Sequence, residues 1–195
     1  IGTGKSTIAG MFSQFKIPIF DADNEIKKIL IKEEIKKGLK EIWPEVIKNN
    51  NLNKNKLKTI IFSNKNEKKK LEKLLYPFLK IEMNKFEKLN YRKKILVFDI
   101  PLIYETKSEK NYDLILLANC NKTLQKKRVL ARDKISNSLF ENITRSQMSF
   151  NEKIKFKPKI INTNNLKLFI LIEVLLLIIK VLIRLKLRRW NRKEN

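Results

Sequence analysis

The chain has 195 residues, with 44 Lys+Arg against 20 Asp+Glu for a net charge of +24, one Cys and no His. That length supports one substantial core. The missing His and solitary Cys120 exclude Ser-His-Asp and Cys-His catalysis, His-rich metal sites and a disulfide framework. Chemistry is left to carboxylates, amines, guanidinium groups, hydroxyls and backbone, and the lone thiol suits a reducing, cytoplasmic setting.

Ile1-Gly2-Thr3-Gly4-Lys5-Ser6-Thr7 holds two of the 4 Gly, and Ile8, Ala9, Met11, Phe12 and Phe15 follow at helical spacing, so a loop enters a helix. Ile17-Pro18-Ile19-Phe20 reads as a buried strand whose carboxyl end carries Asp21 and Asp23. From 24 to 92 the pattern is helical and Lys-rich, with breaks expected at Trp43-Pro44, in an Asn49–Asn55 loop and at Tyr76-Pro77. Strands are predicted at Ile95–Asp99, Asp113–Ala118 and Lys159–Asn162. Helices are predicted at Lys122–Arg132 and Leu166–Leu187, with a mobile helical cover up to Lys153. Short apolar strands alternating with helices specify an α/β fold, a parallel sheet covered on both faces, within a single domain.

Lys residues are strewn through nearly every segment without aromatic interleaving. The positive surplus therefore reads as a solvated surface, with no dedicated nucleic-acid partner. Leu168–Ile183 is shorter than the ~20 apolar residues a membrane span needs, and it contains Glu173 and Lys180. No span is expected. This helix should instead pack into the core, with Glu173, Lys180 and Arg184 forming a narrow wet stripe and the basic run Arg184–Arg192 a solvated tail. The chain shows no signal-peptide pattern.

Gly-Lys-Ser/Thr at a helix start is the second half of the P-loop pattern G-x-x-x-x-G-K-[ST]. Glycines let backbone N–H groups converge on phosphate, the helix N-terminus adds partial positive charge, Lys5 reaches the terminal phosphates and the Ser6 hydroxyl ligates magnesium. The first Gly of the pattern, and the strand launching the loop, would lie before Ile1, so the sequence reads as partial. A sheet lacking that central strand would leave buried amides unpaired, at ~1–3 kcal/mol each. Asp21, Asp23 and Asp99 end predicted strands, where open parallel sheets bind ligands. Asp21 and Asp23, in an extended segment, should point the same way, and Asp23 alone could also be a helix cap. One such carboxylate can accept the proton of an attacking hydroxyl. Arg128, Arg132 and Arg145 cluster around the cover, and Arg128 and Arg132 share a helix face.

Ile1–Thr7, Ile19-Phe-Asp-Ala-Asp23, Phe62-Ser-Asn with Glu67, Leu75-Tyr-Pro-Phe-Leu79, Asp99-Ile-Pro-Leu-Ile-Tyr-Glu105, Leu124–Arg132, and Gln147 before Glu152-Lys153 together resemble dephospho-coenzyme A kinase. The resemblance runs to about residue 165. It implies a three-layer P-loop kinase fold with a helical acceptor-binding insertion near 34–92, a lid near 133–153 and a C-terminal helix and tail at 166–195. It also implies transfer of the γ-phosphoryl of ATP to the ribose 3′-hydroxyl of dephospho-coenzyme A, with Mg2+. By resemblance, Gly2, Thr3, Gly4, Lys5, Ser6 and Thr7 hold ATP phosphates and magnesium, Arg128 and Asn162 lie near the adenine, and Lys5, Asp23 and Arg132 are catalytic. Asp21, Tyr76, Pro101, Leu102, Tyr104 and Glu105 would serve the acceptor. The family usually shows His-Pro where this chain has Tyr76-Pro77, and Ala-Asp where it has Pro158-Lys159. Another nucleoside or nucleotide kinase, a basic nucleic-acid binder and a membrane-tethered protein using 166–190 are the rival readings.

Overall fold

The structure, a computed structural model, describes residues 1–133 and 135–191. Position 134 of the expected lid and the tail from Arg192 onward lie outside the described residues.

Gly4, left-handed at φ 92°, turns the loop into α1 (Lys5–Gln14), whose Ile8, Met11 and Phe12 are buried. β1 (Ile19–Asp21) leads directly into α2 (Ala22–Ile29), and α3 is Glu33–Ile42. The Asn-rich stretch expected as a loop contains a small antiparallel ribbon, β2 (Ile47–Lys48) with β3 (Asn51–Leu52). Asn49 and Asn50, both at positive φ, make the two-residue turn that such a ribbon requires. Side chains of Asn53 and Asn64 cap α4 (Lys54–Ser63) and α5 (Lys65–Leu89). α5 runs through Pro77 instead of breaking there. Leu71 and Leu75 are buried before the proline and Phe78 and Leu79 pack after it, and that burial outweighs the ~3 kcal/mol a helix-interior proline costs.

β4 is Val97–Asp99, β5 Leu116–Asn119 and α6 Lys122–Asp133. In the cover, α7 (Asn137–Arg145) and α8 (Phe150–Lys153) are ordered by caps, Ser136 for the former and a Ser149–Glu152 capping box for the latter. β6 (Lys159–Asn162) and α9 (Lys167–Asn191) complete the chain. The strands form two parallel pairs, β1 with β4 and β5 with β6, and no ladder joins β4 to β5 among the described residues. α1 packs against both pairs. In register, Asp21 of β1 lies beside Asp99 of β4, so acids gather at one end of that pair.

Two apolar clusters run through the described residues. One joins α1, β6 and α9 through Ile8, Met11, Phe12, Ile161, Ile170, Val174 and Ile178. The other, Ile29, Ile35, Leu39, Trp43, Val46, Leu57, Leu71 and Leu75, sits within the helices α2–α5. Phe86 of α5 packs at 5.5 Å from both Phe20 and Phe98, tying that helical unit to β1 and β4 beside the acids. The expectation for α9 needs correcting. It buries only the Ile170, Val174 and Ile178 edge, and most of its remaining apolar side chains face solvent. Apolar residues on every side of a helix do not reveal which side is covered. No helix among the described residues is long and apolar enough to cross a membrane.

Candidate active site

The amino-terminal loop is fastened from behind. Gln125 Nε2 donates to the Ile1 carbonyl at 2.6 Å, and Thr163 Oγ1 donates to the Thr3 carbonyl at 2.7 Å. Arg128 in turn donates to Thr163 Oγ1 at 3.0 Å and to its carbonyl at 2.9 Å. With these carbonyls held, the loop's N–H groups are left to a ligand. Gly2 and Gly4 make the close approach possible, at φ 73° and 92°. A Cβ on Gly2 would come within 2.4 Å of Val129, and one on Gly4 within 2.9 Å of Thr163. Gly4→Ala is expected to lower stability by about 1–2 kcal/mol and to weaken ATP binding, checked by thermal melts and calorimetry.

The helix that follows has no side-chain cap and no acid in its first turn. Its leading amides, among them Ser6 and Thr7, therefore present unpaired partial positive charge, which is the requirement for an anion site. Ser6 and Thr7 are exposed, so their hydroxyls are free to turn toward a bound phosphate.

Lys5 marks the centre. Its Nζ lies 2.5 Å from Asp99 Oδ1 and 3.7 Å from Asp23 Oδ2. Both atoms are sealed from solvent, so the pair is a close, charge-assisted contact, and the ammonium keeps its other donors for a further anion. Burial pushes the Asp99 carboxyl pKa up, Lys5 pulls it back, and the charges of Asp21 and Asp23 push it further up.

Asp21 and Asp23 do not share an extended segment. β1 stops at Asp21, whose Oδ1 accepts from the Asn24 amide at 3.0 Å and caps α2, so Asp23 sits in the first helical turn. Capping belongs to Asp21, and Asp23 is the one aimed at Lys5. Arg132 is exposed and forms a two-pronged pair with Asp133, both contacts at 2.8 Å. Asp133 chiefly, and Asp23 from further off, raise its pKa.

The residues assigned to the acceptor come from β1, α5 and the turn after β4. Tyr104 is only 3% exposed and stacks on Phe156, and its hydroxyl has no partner among the described residues. Glu105 Oε1 accepts from the Met148 amide at 2.9 Å and from Lys153 at 3.1 Å, linking the turn after β4 to the cover. Pro101 and Leu102 are half-buried, and Tyr76 stands exposed on α5. Asn162 accepts from both Asn164 nitrogens, at 2.9 and 2.8 Å. Asp99 was among the strand-end acids singled out in the sequence, whereas Gln125 and Thr163, which fasten the loop, were not and carry no local signal.

Residues 1–168 match the family model described as dephospho-CoA kinase. This chain belongs to that family. It is 32% identical over 169 residues to the dephospho-CoA kinase of Fusobacterium nucleatum, covering 85% of this chain and 86% of the relative. With the dephospho-CoA kinase of Prochlorococcus marinus strain MIT 9312 it shares 37% over 175 residues, covering 85% and 84%. Among solved structures it is similar to TT1252 from Thermus thermophilus, with a TM-score of 0.79, 27% identity and 92% of each chain covered. The dephospho-CoA kinase of Campylobacter jejuni superposes with a TM-score of 0.66 and 26% identity, covering 93% of this chain and 92% of that one. A P-loop kinase fold and a phosphotransferase activity follow from this membership. The matched span includes the loop, Lys5, all three strand-end acids and Thr163.

Proposed function

We propose that this chain transfers the γ-phosphoryl group of ATP to the 3′-hydroxyl of the ribose of dephospho-coenzyme A. The observation that carries the reading is the buried Lys5 ammonium, set between Asp99 and Asp23 at an uncapped helix start. Gly2, Thr3 and Gly4 contribute backbone around the phosphates, and Lys5, Ser6 and Thr7 bind them directly. In the transfer, the bond between the acceptor oxygen and the γ-phosphorus forms as the bond from that phosphorus to the bridging oxygen breaks. ADP leaves, and the hydroxyl proton passes to Asp23. Lys5 and Arg132 neutralise charge on the moving group, for which Arg132 must leave Asp133 and turn inward.

The donors present suit magnesium. Ser6 and the strand-end carboxylates are hard oxygens, and the described residues contain no group of three or more His, Cys, Asp or Glu able to hold a metal alone. An ion would therefore be held by the nucleotide's phosphates with Ser6, supplying charge neutralisation when bound. Arg128 acts here as a positioning residue, bracing Thr163 and through it the loop. The link from Glu105 to Met148 and Lys153 couples the acceptor side to movement of the cover, whose closure excludes water as a competing acceptor.

The test is ADP release by the purified chain with magnesium-ATP, comparing dephospho-coenzyme A with a panel of nucleosides. Turnover only with dephospho-coenzyme A is expected. Turnover only with a nucleoside would reassign the acceptor, and none with any of them would overturn the reading.

A further inference from the structure

The outer face of α9 is unpartnered. Phe169, Ile172, Leu176, Ile179, Ile183 and Leu187 are all exposed, Phe169 and Leu176 by 60% each. At 100° per residue they fall on one stripe opposite the buried edge, within an arc of about 100°. A continuous stripe of this kind marks an interaction surface more than scattered apolar residues do.

A second feature adjoins it. A surface hollow of about 290 Å3 is lined by Lys16, Arg92, Lys93 and Lys94, with Ile178 and Leu182 of α9 as apolar wall and no acid in its lining. Leu182 is itself part-exposed, so the hollow opens beside the stripe. Next to these cations, Leu89 at the end of α5 and Tyr91 in the turn after it stand out, 84% and 73% exposed. The Arg92 guanidinium lies 5.4 Å from the Tyr91 ring centre.

We propose that this face docks on an anionic lipid bilayer, with the α9 stripe in the headgroup–acyl boundary and a lipid phosphate in the Lys16/Arg92/Lys93/Lys94 hollow. Charge decides between occupants. A second copy would bring +24 against +24, with its own cationic hollow at the seam. A nucleic acid would satisfy the hollow and leave the apolar stripe in water. An anionic bilayer covers both, as it does for basic amphipathic helices lying in the interface, with Tyr91 suited to the wet boundary. Lys180 and Arg184 flank the stripe and can extend to headgroups. Ile17-Pro18 and Lys94-Ile95, which line the hollow, precede β1 and β4, whereas Asp21 and Asp99 end those strands. Docking therefore leaves the phosphate loop facing away from the membrane, open to its substrates.

The experiment is co-sedimentation of the full chain with large vesicles of pure phosphatidylcholine or of phosphatidylcholine with one-third phosphatidylserine. Partitioning at least ~10-fold stronger into the anionic vesicles is expected at low salt, falling as salt rises. The Leu176→Glu/Ile183→Glu pair should lose ~10-fold of that binding, and the Arg92→Gln/Lys93→Gln/Lys94→Gln triple should lose the preference for anionic lipid. Both variants change exposed or cavity-rim positions remote from the phosphate loop, so melting temperature and kinase turnover should match the parent. Equal uptake by both vesicle types, or parent-like binding by both variants, would overturn the proposal. So would a dimer in sedimentation velocity that the Leu176→Glu/Ile183→Glu pair dissociates, which would assign the stripe to a second copy.

Discussion

Replacing Lys5 with Ala is expected to lower kcat by about 10³-fold, or ~4 kcal/mol of transition-state stabilisation. Lys5 is the buried cation at the loop, and both acids in contact with it, Asp99 and Asp23, increase the negative charge that an incoming triphosphate would meet without it. The same substitution has a signature in stability that a purely catalytic loss lacks. Burial already raises the Asp99 pKa in the folded state and Lys5 opposes that rise, so removing Lys5 lifts the folded value further above the unfolded one. A carboxyl with a raised folded pKa favours the folded state while it stays protonated. That advantage is lost as pH rises from the unfolded value of ~3.9 through the folded value. Lys5→Ala should therefore melt close to the parent at mildly acid pH and fall behind it toward pH 8, as Asp99 is forced to ionise without a partner. A buried charge stripped of its partner costs about 3–5 kcal/mol at that limit. Parallel melting curves against pH would show that Asp99 is not held by Lys5, and unchanged turnover would remove Lys5 from the chemistry.

The legible parts of the sequence were those written locally. Gly-Lys-Ser ahead of Ile8, Met11 and Phe12 is a pattern of adjacent residues, and acids at strand ends need only the strand to be recognised. β6 appears over the residues expected, Lys159–Asn162, because its apolar centre is bounded by Pro158 and Asn-rich turns. What escaped detection depends on residues far apart in the chain. Thr163 reaches Thr3 across 160 positions and Gln125 reaches Ile1 across 124, so neither reads as more than a polar residue in a polar stretch. The two aspartates were separated by a backbone decision. Once Asp21 caps α2, Asp23 turns with the helix, and the extended geometry that paired them disappears. Pro77 shows the opposite imbalance, a strong local signal overruled by tertiary burial on both sides of it. For α9, an excess of apolar residues concealed which face is covered, and it is packing on α1 and β6 that leaves Phe169 and Leu176 to solvent.

Replacing Asp23 with Asn should reduce kcat by about 10²–10⁴-fold while leaving the KM for ATP within a few-fold of the parent. Asp23 lies in the first turn of α2, near Lys5 and therefore near the terminal phosphate, yet it is 57% exposed and so accessible to an incoming hydroxyl. Asn keeps its shape and its hydrogen-bonding reach but cannot take a proton at that position. Folding should change little, because the α2 cap is Asp21, and the loss of one favourable charge at a helix start is worth only about 0.3–1 kcal/mol. The contrast with Asp99→Asn makes the test decisive. Asp99 is buried against Lys5 and holds it in place, so its amide variant should let the Lys5 side chain swing out of position, a loss that outweighs the relief of negative charge and raises KM for ATP as well as lowering kcat. A selective kcat defect in Asp23→Asn, beside a mixed defect in Asp99→Asn, assigns the proton acceptor to Asp23. Parent-like turnover by Asp23→Asn would transfer that role to Asp99, the other acid within reach of Lys5.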